Sequence, residues 1–311
     1  MNTALTIGNF DGVHLGHKRL IERVLEFARQ GDLTPGLLTF DPHPTRVVAP
    51  ARTPRLLTTL QQREKLIRAE GVELIEVLPF TAATAQLTPE EFVRGIVVER
   101  LGARAVVVGR NFRFGNKAAG DVKTLRELGL KYGFETAIAE EATWRGVTIS
   151  SSGIRALILD GKVSRACRML GRPYALEGTV VHGHGIGAKK TVPTLNLSTT
   201  AEVLPAVGVY ITETYDISDV RRWRSVTNVG YRPTFGSDDR LTVETFLLDP
   251  LEGPTPRAIS VRFLKRLREE RKFDNAEALK AQILRDVKRS ETYFRRLRQR
   301  KAYTEIETSR T

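Results

Sequence analysis

The chain has 311 residues, with 49 Lys and Arg against 36 Asp and Glu and an apolar fraction of 41%. That length exceeds what one hydrophobic core usually serves, so two domains are expected, and the lack of low-complexity tracts excludes a long disordered arm. No apolar run reaches the ~20 residues that cross a bilayer, the start runs directly into "ALTIGNF", and Cys167 is the single cysteine, which together point to a cytoplasmic globular protein without disulfides or a Cys-rich metal site.

The formal charge of +13 attracts polyanions, so nucleic acid, anionic lipid and phosphorylated small molecules all come into view. Much of the charge lies between Arg257 and Lys301, interleaved with apolar positions as in "VRFLKRLREERKF" and "YFRRLRQRK". A solvated helix face is the preferred reading there. Aromatics make up 7% and no stacking motif is present, so nucleic acid is not expected as a partner, nor is a membrane.

In chain order, "ALTIGNF" reads as a strand, "HKRLIERVLEFARQ" as a helix, "PGLLTF" as a strand and "TLQQREKLIRAEG" as a helix. "VELIEVLPF" follows as a strand, "TPEEFVRGIVVERLG" as a helix and "ARAVVVG" as a fourth strand. Continuous apolar strands alternating with helices predict a parallel sheet covered on both faces. Ligands of such sheets sit beyond the carboxyl ends of the strands, here after Ile7, Phe40 and Val108. After Gly161 the pattern changes. "KVSRACRMLG" reads as a connecting helix, and from Tyr174 the strands "ALEGTVVHG", "TLNLS", "GVYITETY", "RSVTNVGY", "LTVETFLLD" and "ISVRFLKRL" come without helices between them. Such a run predicts an antiparallel barrel or sandwich. The last element is a long helix capped by Asp274 or Asn275, with Leu279, Ile283, Val287, Phe294 and Leu297 on the face that packs on the barrel. The expected division is therefore 1–160, a connecting helix over 161–171, and 172–311.

The chemistry concentrates first in "TIGNFDGVHLGHKRLIERV". Gly8 and Gly12 flank a turn out of the first strand, and Gly16 allows close approach at the start of the following helix. His14 and His17 stand three apart and face the same way. Unpaired amides at a helix start attract phosphate, and two imidazoles beside them supply donors to charge developing on a transferring phosphoryl group. Zinc is the rival explanation of two histidines. It needs a third ligand, for which His43 in "TFDPHP" is the available residue.

The string "GNFDGVHLGH" resembles the H-x-G-H signature of nucleotidyltransferases, and more fully the adenylyltransferase half of the bacterial bifunctional riboflavin kinase/FAD synthetase family. "TFDPHPTRVV", "LTPEEFV", "VVVGRNFRFGNKAAGD" and "ISSSGIR" agree with it in order and spacing, and the resemblance spans nearly the whole chain. It implies an α/β nucleotidyltransferase-type domain followed by a riboflavin kinase-like β-barrel with its C-terminal helix. By that resemblance His14 and His17 meet the ATP phosphates in the transition state, with Gly8, Phe10, Asp11, Gly12, Gly16, Ser151, Ser152 and Arg155 binding nucleotide or phosphate. His43, Asn111 and Arg113 belong to the flavin side. The family usually has Thr where Ser152 stands, and the hydroxyl is kept. "ISSSGIRALIL" reads equally as an ordinary capped amphipathic helix, which is compatible with phosphate binding because both use the same amides.

"ALEGTVVHGHGIGAKKTVPTLNLS" resembles the start of the family's flavokinase domain. The resemblance implies phosphate contacts at Gly183, Gly187 and Lys189, Mg²⁺ ligands at Thr194 and Asn196, and a base at Glu244. By composition alone Glu244 is only a charge in an alternating strand. Two departures stand out. The family's arginine before Pro-Thr is replaced by Lys189 and Lys190, which do not reproduce a planar fork, and "PLEGPTPRAIS" replaces an Asp-Leu-Tyr-Gly turn. The function implied is ATP-dependent phosphorylation of riboflavin to FMN and adenylylation of FMN to FAD, with riboflavin, FMN and ATP as small-molecule partners and Mg²⁺ as cofactor. The alternatives are an adenylyltransferase with a non-catalytic kinase domain, or a nucleotidyltransferase for another phosphorylated acceptor. The sequence leaves the oligomeric state open.

Overall fold

In the computed structural model, residues 2–181, 194–231 and 241–308 are described. They fall into two compact units, Met1–Ile154 with Met169–Gly171, and Arg155–Arg168 with Arg172–Thr311.

The first unit contains strand β1 (Thr3–Ile7), helix α1 (Leu15–Gly31), β2 (Thr34–Asp41), a short α2 (Pro44–Val48), α3 (Leu60–Ala69) and β3 (Leu74–Pro79). There follow α4 (Ala82–Gln86), α5 (Pro89–Glu91) running into a π-helix Phe92–Arg100, β4 (Ala103–Gly109), α6 (Val122–Tyr132) and β5 (Glu135–Ala139). A small hairpin, β6 (Thr143–Trp144) and β7 (Val147–Thr148), leads to the start of α7 (Ser151–Leu159), most of which, like most of α8 (Val163–Leu170), falls in the second unit. The five strands form a parallel sheet in the order β3-β2-β1-β4-β5. Every residue of β1 is buried, as a strand covered on both faces requires. One face packs Leu5, Ile7, Leu38, Val106 and Val108 against Phe92, Val93, Val97 and Leu125. The other receives Val24 and Phe27 of α1 over Ala4 and Val107, and Ile67 of α3 with Phe10, Ile21 and Leu37. Because the order reverses between β1 and β4, the connections leaving those two strands diverge and open a crevice beyond their carboxyl ends.

"TPEEFVRGIVVERLG" departs from the α-helix expected of it. After the Thr88–Glu91 capping box the backbone widens, and Leu101 N donates to Ile96 O, five residues back, at 3.1 Å. That ladder lets Phe92 and Val97, five apart, share the buried face.

The second unit holds β8 (Tyr174–Val181), β9 (Thr194–Ser198), β10 (Gly208–Asp216), β11 (Arg222–Tyr231), β12 (Leu241–Leu247), β13 (Ala258–Arg268) and α9 (Ala276–Thr308). The six strands close into a barrel in the order β10-β11-β12-β9-β8-β13, antiparallel at each pairing. Part of its interior is hydroxyl rather than hydrocarbon. Thr212 Oγ1 bonds Ser225 Oγ at 2.8 Å and Thr227 Oγ1 at 2.7 Å, Thr214 meets Ser225 at 2.8 Å, and Thr227 meets Thr245 at 3.0 Å. All five residues are fully buried, and their hydroxyls satisfy one another across neighbouring strands.

Asn275 caps α9 through Ala278 N at 2.8 Å. Of the apolar face read from the sequence, Phe294 is buried, Ile283, Val287 and Leu297 are half-buried and Leu279 is exposed, while the other buried side chains described in that helix are the polar Gln282, Asp286 and Ser290. For Asp286 the reason is a charge on the barrel. Arg268 of β13 meets Asp286 Oδ2 at 2.9 Å from Nε and 2.8 Å from Nη2, while Gln282 Nε2 donates to Asp286 Oδ1 at 2.8 Å. Removing one partner of such a pair leaves the other charge without compensation. Asp286→Ala should therefore lower the stability of the second unit by about 3 kcal/mol, read as a drop in its urea midpoint with the slope unchanged.

Candidate active site

The chain leaves β1 through a turn that ordinary residues avoid. Phe10 (φ 49°), Gly12 (φ 81°) and Val13 (φ 38°) all lie at positive φ, and for a β-branched residue such as Val13 this is a real backbone outlier. Bonds from several directions hold the turn. Asp11 Oδ1 accepts from Leu57 N at 2.8 Å and Thr58 N at 3.2 Å, Thr58 Oγ1 accepts from Gly12 N at 3.1 Å, and Ser151 Oγ donates to Asp11 O at 2.9 Å. The Asp11 carboxylate, 3% exposed, is thus directed at the 57–58 amides. Glycine is needed at position 12, since a Cβ there would lie 2.7 Å from Leu57 Cδ1.

His14 is the N-cap of α1 and His17 its third residue. They form a reciprocal capping box of imidazoles: His17 N donates to His14 Nδ1 at 3.3 Å and His14 N to His17 Nδ1 at 3.4 Å. The rings stack with centroids 3.6 Å apart and planes 15° from parallel, and Phe10 packs on His17 at 4.9 Å. Because each Nδ1 accepts a backbone N–H, the proton of the neutral ring sits on Nε2. Nε2 is then the ring nitrogen that can donate, on a buried His14 and a half-buried His17. Gly16 makes room for this arrangement: a Cβ would lie 3.0 Å from His14 Cε1 and 3.1 Å from its Nδ1. A Cβ at Gly8 would likewise lie 3.2 Å from Phe10 Cε2.

The structure brings Gly8, Phe10, Asp11, Gly12, Gly16, both histidines and Ser151 into one cluster. Ser150, which the motif reading passed over, caps α7 through Gly153 N at 3.2 Å, while Ser152 is exposed on its first turn. Arg155 falls in the second unit. His43 caps α2, its Nδ1 2.8 Å from Thr45 Oγ1 and 3.3 Å from Thr45 N. Asn111 and Arg113 stand on the loop after β4, Asn111 Nδ2 3.3 Å from Glu141 Oε1 and Arg113 Nη1 3.7 Å from Asp121 Oδ2. That loop is closed by the Phe114–Gly120 pair and stiffened by Phe112 stacked on Phe114. Among the described residues no group of three or more His, Cys, Asp or Glu could hold a metal ion, so the zinc reading of the histidines finds no ligand set there.

In the barrel, strand register does what the cap does in the first unit. Glu244 lies opposite Asn196 on one side and Asn228 on the other, and Phe246 lies opposite Thr194. Asn196, Glu244 and Asn228 thus share one face across three strands. Gly183, Gly187, Lys189 and Lys190 lie outside the described residues. The loop that replaces Asp-Leu-Tyr-Gly is tied down: Asp249 accepts from Arg224 N at 2.7 Å and Arg224 Nε at 2.9 Å, and Arg221 Nη1 donates to the carbonyls of Glu252 and Pro254 at 2.9 Å. Burial pushes the Asp249 carboxyl up, but the Arg224 bonds outweigh it and hold it below the usual carboxylate range.

Residues that motif reading missed are those whose partners are remote in sequence. Thr58 and Glu141 are examples, and so is Arg63, an arginine on the apolar face of α3, four before the buried Ile67. A charge on a buried helix face was the signal available.

A parallel α/β unit that presents paired imidazole donors at the start of its first helix, followed in the same chain by a closed antiparallel barrel with a Glu and two Asn side chains abreast, defines a two-domain nucleotide-handling transferase. Residues 1–153 match the FAD synthetase family model and residues 170–294 the riboflavin kinase model. The chain is 34% identical over 290 residues to the bifunctional riboflavin kinase/FMN adenylyltransferase of Escherichia coli (strain K12), covering 93% of this chain and 92% of that one. It is 33% identical to the protein of the same description from Bacillus subtilis (strain 168), covering 95% and 94%. A crystal structure described as a macrolide-efflux protein from Streptococcus pneumoniae aligns with a TM-score of 0.83 at 28% identity, covering 93% of this chain and 94% of that one. The chain belongs to the bifunctional riboflavin kinase/FMN adenylyltransferase family.

Asp11 gives a stability test of the turn. Asp11→Ala orphans the amides of Leu57 and Thr58, each worth about 1–3 kcal/mol when buried without a partner. The first unit should lose about 3 kcal/mol, visible as an earlier first transition in urea.

Proposed function

We propose that this bifunctional flavin enzyme carries out adenylyl transfer at His14 and His17 and riboflavin phosphorylation at Glu244. The observation that carries the first assignment is the reciprocal imidazole cap, which fixes two Nε2–H donors side by side at the exit of β1. A phosphate oxygen of FMN attacks the α-phosphorus of ATP. The bond from that phosphorus to the bridging oxygen breaks, and pyrophosphate leaves. No covalent intermediate with the enzyme is needed. The two donors stabilise charge on the phosphates as it develops, and the turn and α1 hold them in place beforehand, which is where catalysis by positioning resides. Ser152 and the first amides of α7 add further donors to phosphate. Asn111, Arg113 and His43, on the loops after β4 and β2, are assigned to the flavin side.

In the barrel, Glu244 accepts the proton of the ribityl hydroxyl as its oxygen attacks the γ-phosphorus of ATP, the bond from that phosphorus to the β–γ bridging oxygen breaks, and ADP leaves. The side-chain oxygens of Asn196, opposite Glu244, and of Thr194, opposite Phe246 and on the same face of β9, are hard neutral donors that would hold a Mg²⁺ ion. Such an ion would neutralise phosphate charge. Glu244, Asn196 and Thr194 sharing adjacent strands favours a working kinase over a non-catalytic barrel. The substrates are riboflavin, FMN and ATP. No helix among the described residues is long and apolar enough to cross a membrane, in keeping with a cytoplasmic location.

His17→Gln separates catalysis from capping, because Gln at the third helical position still closes a capping box. It should leave stability within about 0.5 kcal/mol and lower FAD formation from supplied FMN by about 10²–10³-fold. Undiminished turnover would refute the histidine assignment. Glu244→Gln should lower riboflavin phosphorylation by about 10²–10⁴-fold and leave the conversion of supplied FMN to FAD unchanged. Both rates are read by resolving riboflavin, FMN and FAD over time.

A further inference from the structure

Beneath the turn that delivers His14 lies a buried cation. Arg63, in the first half of α3, is 1% exposed and heads the largest fully buried side chains. Its Nη1 donates to Asn9 O at 2.7 Å and its Nη2 reaches Phe40 O at 3.5 Å. One guanidinium thus spans the carbonyl just past the end of β1 and a carbonyl near the end of β2. Asn9 O also accepts from Thr39 Oγ1 at 3.3 Å, so the last carbonyl before the positive-φ residues is gripped twice. Arg63 Nε is buried with no hydrogen-bond partner.

The energetics of this placement need explaining. Burial pushes the guanidinium down from its ordinary value, and the fields of Asp11 and Asp41 oppose that shift without a direct bond to either. An arginine remains charged even so. A buried charge held mainly by neutral carbonyls, with one donor orphaned, is less stable than a well-packed apolar side chain of the same volume. What an apolar residue could not do is hold two carbonyls at a set separation. A lysine could not do it either, being a point charge on a flexible stem.

We propose that Arg63 is a positioning residue for adenylyl transfer: its planar fork fixes the Asn9 carbonyl and, through the Phe10–Val13 turn, the location of the His14–His17 ring pair. The inference rests on the reading of those histidines given above. Arg63 contacts no reacting atom. Its effect is to keep the imidazole donors where charge develops, and displacement of a donor by about 1 Å costs on the order of a hundredfold in rate.

The test uses full-length protein with Arg63→Lys and Arg63→Met. Four readouts are compared with wild type: kcat and KM for FMN adenylylation, riboflavin phosphorylation by the same sample, the thermal transition of the first unit, and the ¹⁵N spectrum of the histidine rings. The expected result is a kcat for FAD formation lowered by on the order of a hundredfold in Arg63→Lys, with KM for FMN and ATP within about threefold, riboflavin phosphorylation unchanged, and altered Nδ1 and Nε2 signals from His14 and His17. Arg63→Met should show the same pattern at least as strongly. A folded Arg63→Lys that keeps its kcat overturns the proposal. Loss of the first unit's transition in Arg63→Lys also overturns it, in favour of a purely structural role. If His17→Gln keeps full turnover, the reading of the histidines fails independently of what Arg63 does.

Discussion

The proposed adenylylation site depends on a turn that would not hold its shape alone. Phe10 and Val13 occupy backbone space costing on the order of 1–3 kcal/mol each, and the surrounding structure offsets that with bonds to the turn from several directions. Asp11 is tied to residues 57 and 58, Gly12 to Thr58, Asn9 to Arg63 and Thr39, and the carbonyl of Asp11 to Ser151. Strain at such a place is a sign of over-determination. The reward is that α1 begins at a fixed residue with a fixed cap. A helix whose first turn frayed could not keep two rings stacked at 3.6 Å.

The two units reach comparable ends by different local physics. In the sheet unit, the proposed chemistry sits at a helix start, where orphan amides and side-chain caps are interchangeable partners for phosphate. In the barrel it sits on strands, where position comes from register. Shifting β12 by one residue against β9 would turn Glu244 to the barrel interior and separate it from Asn196. The inward ladder of Thr212, Thr214, Ser225, Thr227 and Thr245 opposes such a slip, since it would unpair several buried hydroxyls at once.

Much of this was legible in the residues. Periodicity distinguishes the helical runs from the buried strands of the first half, and the loss of intervening helices after Gly161 marks the barrel. The spacing of His14 and His17 places both on one side of a helix start. What local pattern could not convey was any role set by a distant partner. Asp11 sits in a motif that resembles a phosphate-binding stretch, yet its carboxylate faces amides 46 and 47 residues away. Gly16 reads as an opening for a ligand, whereas the space over it is filled by His14. Asp286 is covered within α9 because Arg268 pairs with it, and nothing within the helix announces that charge. Short elements escaped for a simpler reason: Glu135–Ala139 and the 143–148 hairpin hold too few residues for a period to emerge.

The hydroxyl lining of the barrel bears on how the enzyme responds to temperature. Unfolding a hydrocarbon interior raises heat capacity, whereas exposing polar groups lowers it. A wall carrying five buried hydroxyl side chains therefore contributes less curvature to the free-energy dome than a wall of valines would. The kinase unit's resistance to melting should accordingly change more gently between cold and warm conditions, a property that belongs to the strands' interior and not to any group that touches flavin.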